Sequence, residues 1–485
     1  MALSDLTQPT LARLRGAADY VTDWMTPTVR LGVTGLARSG KTVFITALVR
    51  NLVEGGRLPF FGPVAEGRIL RAYLTPQPDD DVPRFPYEEH LAVLGRDPPE
   101  WPESTSRVSQ LRVTVEYLSR SLMKRSFGID RLHIDIVDYP GEWLLDLGLI
   151  DLDYRTWAGR AVDLAQDARH RAIAAPWLSH IANLDPDGPA DEQTALQGSR
   201  LFATYLRAAR AAGLDGAGPG RFLMPGDLDG SPLLTFLPVP ILQEQSIRRG
   251  SLAALLERRY ESYKTHVVQP FFRDYFSRID RQIVLVDALS ALNGGDAALA
   301  DVRRTLGAVL APFKVGSANW FMALMTRRID RILFAAAKSD HVHHTSHARL
   351  EALLADIAHE AADRATIAGA EIKLMALSAL RATREADVTR SNEPLPCVVG
   401  TPLPGEQVAG RTFDGRETAA IFTGDLPAAK GGRGEATAVA AARDVKVIRF
   451  RPPRIAPALG SGAPSAWPHI RLDRALDFLV GDRLA

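Results

Sequence analysis

Residues 28–53 read TVRLGVTGLARSGKTVFITALVRNLV. The first eight, Thr28–Gly35, have the apolar, β-branched character of a buried strand. Gly35, Leu36, Ala37, Arg38, Ser39, Gly40, Lys41 and Thr42 then complete the pattern G-x-x-x-x-G-K-[ST]. Phe44, Leu48 and Leu52 follow at helical spacing. A strand, a glycine-rich turn and a helix in that order are the context a phosphate-binding loop requires. The backbone N–H groups of such a loop point inward and the helix N-terminus adds a favourable dipole, so the segment suits a chain of phosphates. In this reading Lys41 brings a compact positive charge to the β and γ phosphates, and Thr42 offers a hydroxyl to Mg²⁺.

Further motifs continue the same chemistry. RVSQLRVTVEY (107–117) and RLHIDIVD (131–138) alternate as a hairpin pair, the second ending in Asp138-Tyr139-Pro140-Gly141. An aspartate closing an apolar strand suits a Mg²⁺ held through water, and the D-x-x-G glycine, Gly141, places an N–H for a γ-phosphate. RILFAAA (331–337) leads into Lys338-Ser339-Asp340. A carboxylate at Asp340 would accept hydrogen bonds from guanine N1–H and its exocyclic amine, donors that adenine lacks, while the Lys338 stem lies along the base. Ala337 stands where such motifs usually carry Asn or Thr, which keeps an adenine nucleotide open as the rival to GTP and GDP. A strand, EIKLMAL, precedes Ser378, Ala379 and Leu380, whose backbone would read guanine O6. Ser104, Thr105 and Ser106 stand just before the second predicted strand, and Thr105 is the expected switch hydroxyl on Mg²⁺. Glu142 occupies the position from which Ras-like enzymes orient the attacking water with a Gln. Arg38, inside the loop, is the expected source of an arginine in cis; the alternative is an arginine turned to solvent or to the insertion.

GLARSGKT, IDIVDYPGEW, RIDRILFAAAKSDHVH and PHIRLDRALDFLVGDRLA together resemble the bacterial YcjX-like P-loop proteins, from about residue 28 to the end. The resemblance implies a Ras-like GTP-binding core with a helical insertion and a C-terminal extension, in stress-associated cytosolic proteins. Ala337 departs from the Thr usual in that family.

The expected fold is therefore α/β, a Ras-like P-loop NTPase with a mixed sheet. Its segments would be a docking helix at 1–27, the core at 28–141 and 281–385, a helical insertion at 142–280, and a β-containing extension with a terminal helix at 386–485. The insertion rests on Leu252, Leu256, Tyr260, Tyr263, Val267 and Phe271 at helical spacing, with Pro270 as a kink or break. It is the place for an unknown protein partner. AAKGGRGEATAVAAA (428–442) reads as a low-complexity linker. His343 and His347 are spaced i,i+4, but with no carboxylate to complete a metal set beyond Asp340 the cluster reads as a solvated helix start.

Composition narrows the field. With 485 residues, 46% hydrophobic, 24% charged and a net charge of +1, the chain is neither disordered nor a nucleic-acid coat. No run of 18 apolar residues is present, so no transmembrane helix is expected. The single Cys397 permits no internal disulfide and fits a reducing, cytoplasmic setting. Only eight of the 58 basic residues are lysines, so Lys41 and Lys338, both in motifs, stand out from an arginine background.

Overall fold

The computed structural model describes residues 26–35, 38–103, 107–121, 128–212, 214, 218–241, 246–309, 329–390, 393–427, 445–455 and 467–485. Most of the expected docking helix, Leu36, Ala37, Thr105 and the 428–442 linker lie outside them.

Seven strands form one mixed sheet: β1 (Thr28–Gly35), β2 (Ile69–Thr75), β3 (Ser109–Tyr117), β4 (Asp130–Asp138), β5 (Arg281–Val286), β6 (Arg331–Ala336) and β7 (Glu371–Ala376), in the order β2-β3-β4-β1-β5-β6-β7. β2 and β3 run antiparallel to their neighbours, whereas β4, β1, β5, β6 and β7 are parallel. This is the expected α/β mixed sheet. β1 sits between β4 and β5, so the chain leaves the sheet in opposite directions on its two sides. Such a switch point opens a crevice at the carboxyl ends of the strands, where ligands bind in open α/β sheets. The phosphate-loop sequence begins there.

Alternation along the parallel strands feeds two cores. Val29, Leu31, Val33, Ile283, Leu285, Leu333 and Ala335 pack on one face with α1 (Lys41–Val53). Val284, Val286, Ile332, Phe334 and Ala336 pack on the other with α9 (His347–Ile367) and the insertion. Strands buried on both faces read as continuous apolar runs, which is why RILFAA was legible.

β2 was not expected. It lies in the Gly- and Pro-rich stretch 54–106, and its burial is mostly partial because it is the sheet edge. Arg71 and Tyr73 reach the Glu116 carboxylate on β3 and alternate with Leu70, Ala72 and Leu74, a period-two signal too short to stand out in that stretch. In the same stretch lies α2 (Tyr87–Leu94).

Between β4 and β5 the described chain is helical: α3 (Tyr154–Gln166), α4 (Arg171–Ala182), α5 (Glu192–Ala211) and α6 (Leu252–Tyr263). Asp153, Asp191 and Ser251 cap α3, α5 and α6, each accepting an N–H three residues on. α6 does not break at Pro270. It widens into a π turn over Lys264–Val268 and continues as Gln269–Asp274, so the missing proline N–H falls where the ladder has already shifted. A belt of rings, including Trp157 stacked on Tyr260 at 4.8 Å and Trp177 on Tyr205 at 5.3 Å, fills the insertion's core.

α7 (Ala288–Asn293) and α8 (Gly295–Val309) follow β5. After β7 come β8 (Arg384–Arg390), β9 (Glu393–Gly400), β10 (Gln407–Val408), β11 (Arg411–Thr412) and β12 (Ala419–Ile421), the small β region expected near the C-terminus. α10 (Leu472–Val480) does not pack with these strands. Leu472, Leu476 and Leu479 are buried in the α1 face of the main core, and Asp473 and Asp477 accept N–H groups of Phe60 and Gly62.

Candidate functional site

Gly35 ends β1 so closely packed that a Cβ there would lie 2.4 Å from both the Leu285 carbonyl and Ser39 Oγ. Arg38 adopts a left-handed φ of 65°, uncommon outside glycine, and Gly40 follows at 91° as the cap of α1. The turn therefore curls back on itself before the helix. Lys41 is buried and its Nζ donates to the Gly35 carbonyl at 2.8 Å, across the mouth of the loop. Ser39 Oγ is buried and makes no hydrogen bond among the described residues. Thr42 Oγ1 lies 3.4 Å from the Glu103 carbonyl, so the chain at Glu103 passes over the N-terminus of α1.

At the other end of the crevice, Lys338 is left-handed at φ 60° and its Nζ donates to Asp287 at 2.5 Å. Asp287, which closes β5, also caps α7 through Ser290. Burial would raise its carboxyl, but the Lys338 ammonium and the Ser290 donors prevail and hold it below the usual range. Asp340 is buried, and its Oδ2 accepts the Ala382 N–H at 2.8 Å. Ser378 Oγ donates to the Leu380 carbonyl at 3.1 Å. The Ser378 backbone exchanges hydrogen bonds with Ile470, just before α10, and so fixes the turn that carries Ala379 and Leu380.

These pieces share one cavity of about 660 Å³, lined by Arg38 to Thr42, by Lys338 and Asp340, and by Ser378 to Leu380. Asp287 and the outer wall were not legible in the sequence. Asp287 ends an apolar strand, a signal too common to single out. The wall is Trp101, Leu403, Arg449 and Phe450; Trp101 Nε1 donates to the Phe450 carbonyl at 2.7 Å, joining chain segments about 350 residues apart. Asp138 is fully buried at the end of β4, paired in register with Val33.

Sequence motifs at the ends of β1, β6 and β7 thus line one cavity, whereas Asp138 and Gly141 are not among its lining. The pattern of the YcjX-like family, DUF463, matches residues 29–484. The chain belongs to this family. A YcjX-like relative from Escherichia coli (strain K12), named Ras-like GTPase YcjX, is 36% identical over 466 residues, 94% of this chain and 96% of the relative. A protein of the same name from Shewanella oneidensis is 32% identical over 505 residues, spanning 100% and 99% of the two chains.

In this YcjX-like chain the segment after Gly141 is gripped by the insertion. Glu142 is buried and ion-paired with Arg210 of α5, so its carboxylate is directed to the insertion, a contact the sequence does not disclose. The next residue, Trp143, packs edge-on against Phe271 and under the Arg221 guanidinium, and its Nε1 donates to the Met224 carbonyl at 3.2 Å. Gly220 packs so closely that a Cβ would lie 1.9 Å from the Glu142 carbonyl oxygen. Asp146 accepts the Gly220 N–H at 2.7 Å, the Arg221 N–H at 3.3 Å and the Tyr263 hydroxyl at 2.7 Å. Burial still outweighs these donors and pushes its carboxyl up to about 6. Asp146→Ala would orphan three buried donors and should cost several kcal/mol, against about 1 kcal/mol for Tyr263→Phe, measured by urea unfolding. A folded pKa above the unfolded value gives stability that is full below about pH 4 and falls as pH rises through about 6. The stability of wild type relative to Asp146→Asn should therefore fall across that window.

Of the four histidines after Asp340, only His344 is solvated. His341, His343 and His347 are buried, and His347 Nε2 bonds the Ser339 carbonyl at 2.9 Å. His343 instead gathers with His344 and Glu385, their ligand atoms within 4.8 Å of one another.

Proposed function

We propose that the chain binds GTP and GDP with Mg²⁺, hydrolyses GTP slowly and acts as a nucleotide-driven conformational switch. The observation that carries this is the single cavity reaching from Lys41 to Asp340. Its size suits one small ligand, and its two ends offer cationic and carboxylate chemistry in the arrangement a guanine nucleotide needs. The printed names of the YcjX-like relatives, Ras-like GTPase, support the same choice. The resemblance adds a stress-associated, cytoplasmic setting; among the described residues no helix is long and apolar enough to cross a membrane.

In this reading Lys41 leaves the Gly35 carbonyl for the phosphates, and the loop N–H groups from Gly35 to Thr42, including Leu36 and Ala37, surround them. Asp340 takes the guanine edge, Lys338 flanks the base, and Ser378 to Leu380 close over O6. The Thr42 hydroxyl and the Asp138 carboxylate are hard oxygen donors that fit Mg²⁺, with Thr105 as the third. Bound there, the ion would neutralise charge developing on the phosphates. The Ser39 hydroxyl, buried in the loop and without a hydrogen-bond partner among the described residues, fits a polar ligand better than an apolar filling.

Gly141 would donate its N–H to the γ-phosphate. Because Trp143, Gly220 and Asp146 lock the following residues to the insertion, displacement of Gly141 would be passed to α5 and α6 rather than dissipated in a loop. Glu142, held by Arg210, is a poor organiser of water, which supports slow turnover. The same pair favours a second reading, a nucleotide-gated scaffold with no useful hydrolysis. Affinities for GTP, GDP and ATP at fixed Mg²⁺ test the first reading, and multiple-turnover phosphate release separates it from the second. A preference for ATP, or no saturable nucleotide binding, would remove the proposal.

Arg38, exposed at the cavity rim, is proposed as the arginine acting in cis. Arg38→Ala should then lower single-turnover hydrolysis about 10-fold or more at saturating GTP, with affinity little changed. Equal rates would make Arg38 structural.

A further inference from the structure

Beside the nucleotide cavity lies a second groove of about 850 Å³, for which none of the sequence motifs accounts. Among the described residues Arg381, Arg384, Arg416, Arg451 and Arg454 line it, against one carboxylate, Asp414. In a chain whose net charge is +1, that is a local concentration of positive charge. Little neutralises it. Among the described residues Arg384 and Arg416 make no ion pair. Among the described residues the Arg451 guanidinium donates only to the neutral carbonyls of Gly415 and Pro99. Arg381 approaches Glu385 no closer than 3.6 Å, and Arg454 meets Asp97 where both are about 80% exposed, a pairing worth little in water. Asp414 is engaged by the backbone N–H of Arg416.

The geometry points to a binding site for a small oligophosphate anion, separate from the nucleotide cavity. Guanidinium forks converging on one groove suit phosphate oxygens, which they can bind bidentately. The groove's volume suits a ligand of nucleotide size. Among the described residues no aromatic side chain lines it, so they offer none of the stacking platforms on which single-stranded nucleic acid relies.

The groove also shares a wall with the base motif. Arg381 directly follows Leu380, Ala382 donates its N–H to Asp340, and the Thr383 hydroxyl donates to the Asp340 carbonyl. Its opposite wall is Pro98 and Pro99, which lead to Trp101 in the nucleotide cavity. An anion seated between the two would brace the loop that carries Asp340. This site goes beyond the GTPase reading and does not depend on it.

The test is calorimetric titration of inorganic tripolyphosphate into the full chain carrying Lys41→Ala, in metal-free buffer, so that the phosphate loop is disabled and no ion is chelated. One binding event per chain is expected. Adding Arg384→Ala and Arg416→Ala, both at exposed positions, should weaken it at least tenfold with an unchanged melting temperature. The wild-type groove should also lose affinity as salt rises. No event, or an event indifferent to the two arginines, would overturn the site. Tighter binding of a single-stranded oligonucleotide, lost in the same variant, would overturn the small-anion assignment.

Discussion

Lys41→Ala should cost the protein about 2–5 kcal/mol of triphosphate affinity, roughly 30-fold to several thousand-fold. The ammonium is buried in the loop, where its attraction for phosphate is less screened than at the surface. Its hydrogen bond to the Gly35 carbonyl has a neutral acceptor and would be exchanged for phosphate contacts on binding. The fold should survive, because position 41 opens α1, where Ala is a good helix former, and the core on that face begins at Phe44. Equilibrium binding of a fluorescent GTP analogue, with a melting curve as control, checks both halves. Unchanged affinity in a folded variant would remove the phosphate-loop assignment.

Asp340→Asn should move base preference from guanine to xanthine. The carboxylate is aimed by the Ala382 N–H on Oδ2, and an Asn carbonyl can still accept that bond, so the loop should keep its shape. What changes is the face offered to the base. An amide N–H₂ confronts the guanine donors, but matches the carbonyl that xanthine carries in place of the amine. Two hydrogen bonds to a charged acceptor are worth about 3–6 kcal/mol together, so GTP affinity should fall roughly 100-fold or more. Xanthosine triphosphate should gain. Competition between the two nucleotides on wild type and variant reads this directly. A wild-type protein that prefers ATP would show that Ala337, which offers no side-chain hydrogen bond, has changed the base chemistry.

Both predictions start from residues that local sequence made visible. GLARSGKT is legible because a phosphate loop is built from consecutive residues whose backbone must turn in one way. The glycines, Lys41 and Thr42 are each demanded at a fixed offset. The central strands were legible for a similar reason, since burial on both faces forces an unbroken apolar run. Asp138, Gly141, Lys338 and Asp340 followed because each lies at or just past the end of such a run. α/β class, the motif order and the presence of helices between β4 and β5 were all determined at this level.

What the tertiary structure decided involves partners distant in the chain. Glu142 looked like a water-orienting group by position, but Arg210, on a helix of the insertion, claims its carboxylate. Nothing in the spacing of 68 residues marks that pair. Asp146, Gly220 and Tyr263 form a hub from three separate segments, each unremarkable alone. β2 was missed because its alternation of Leu70, Ala72 and Leu74 with Arg71, Tyr73 and Thr75 spans only six residues of a Gly- and Pro-rich stretch, and it is the pairing with β3 that makes it a strand. The terminal helix was expected from the sequence, but only packing decided that its apolar face covers the main sheet. The arginine groove is the same kind of object. Its charges come from residues 381 to 454, and they add up only when folding removes the distance between them. Periodicity and motif spacing report interactions within one element or one turn. Which side chain meets which across the fold depends on the simultaneous packing of every element, and that is set by the whole chain.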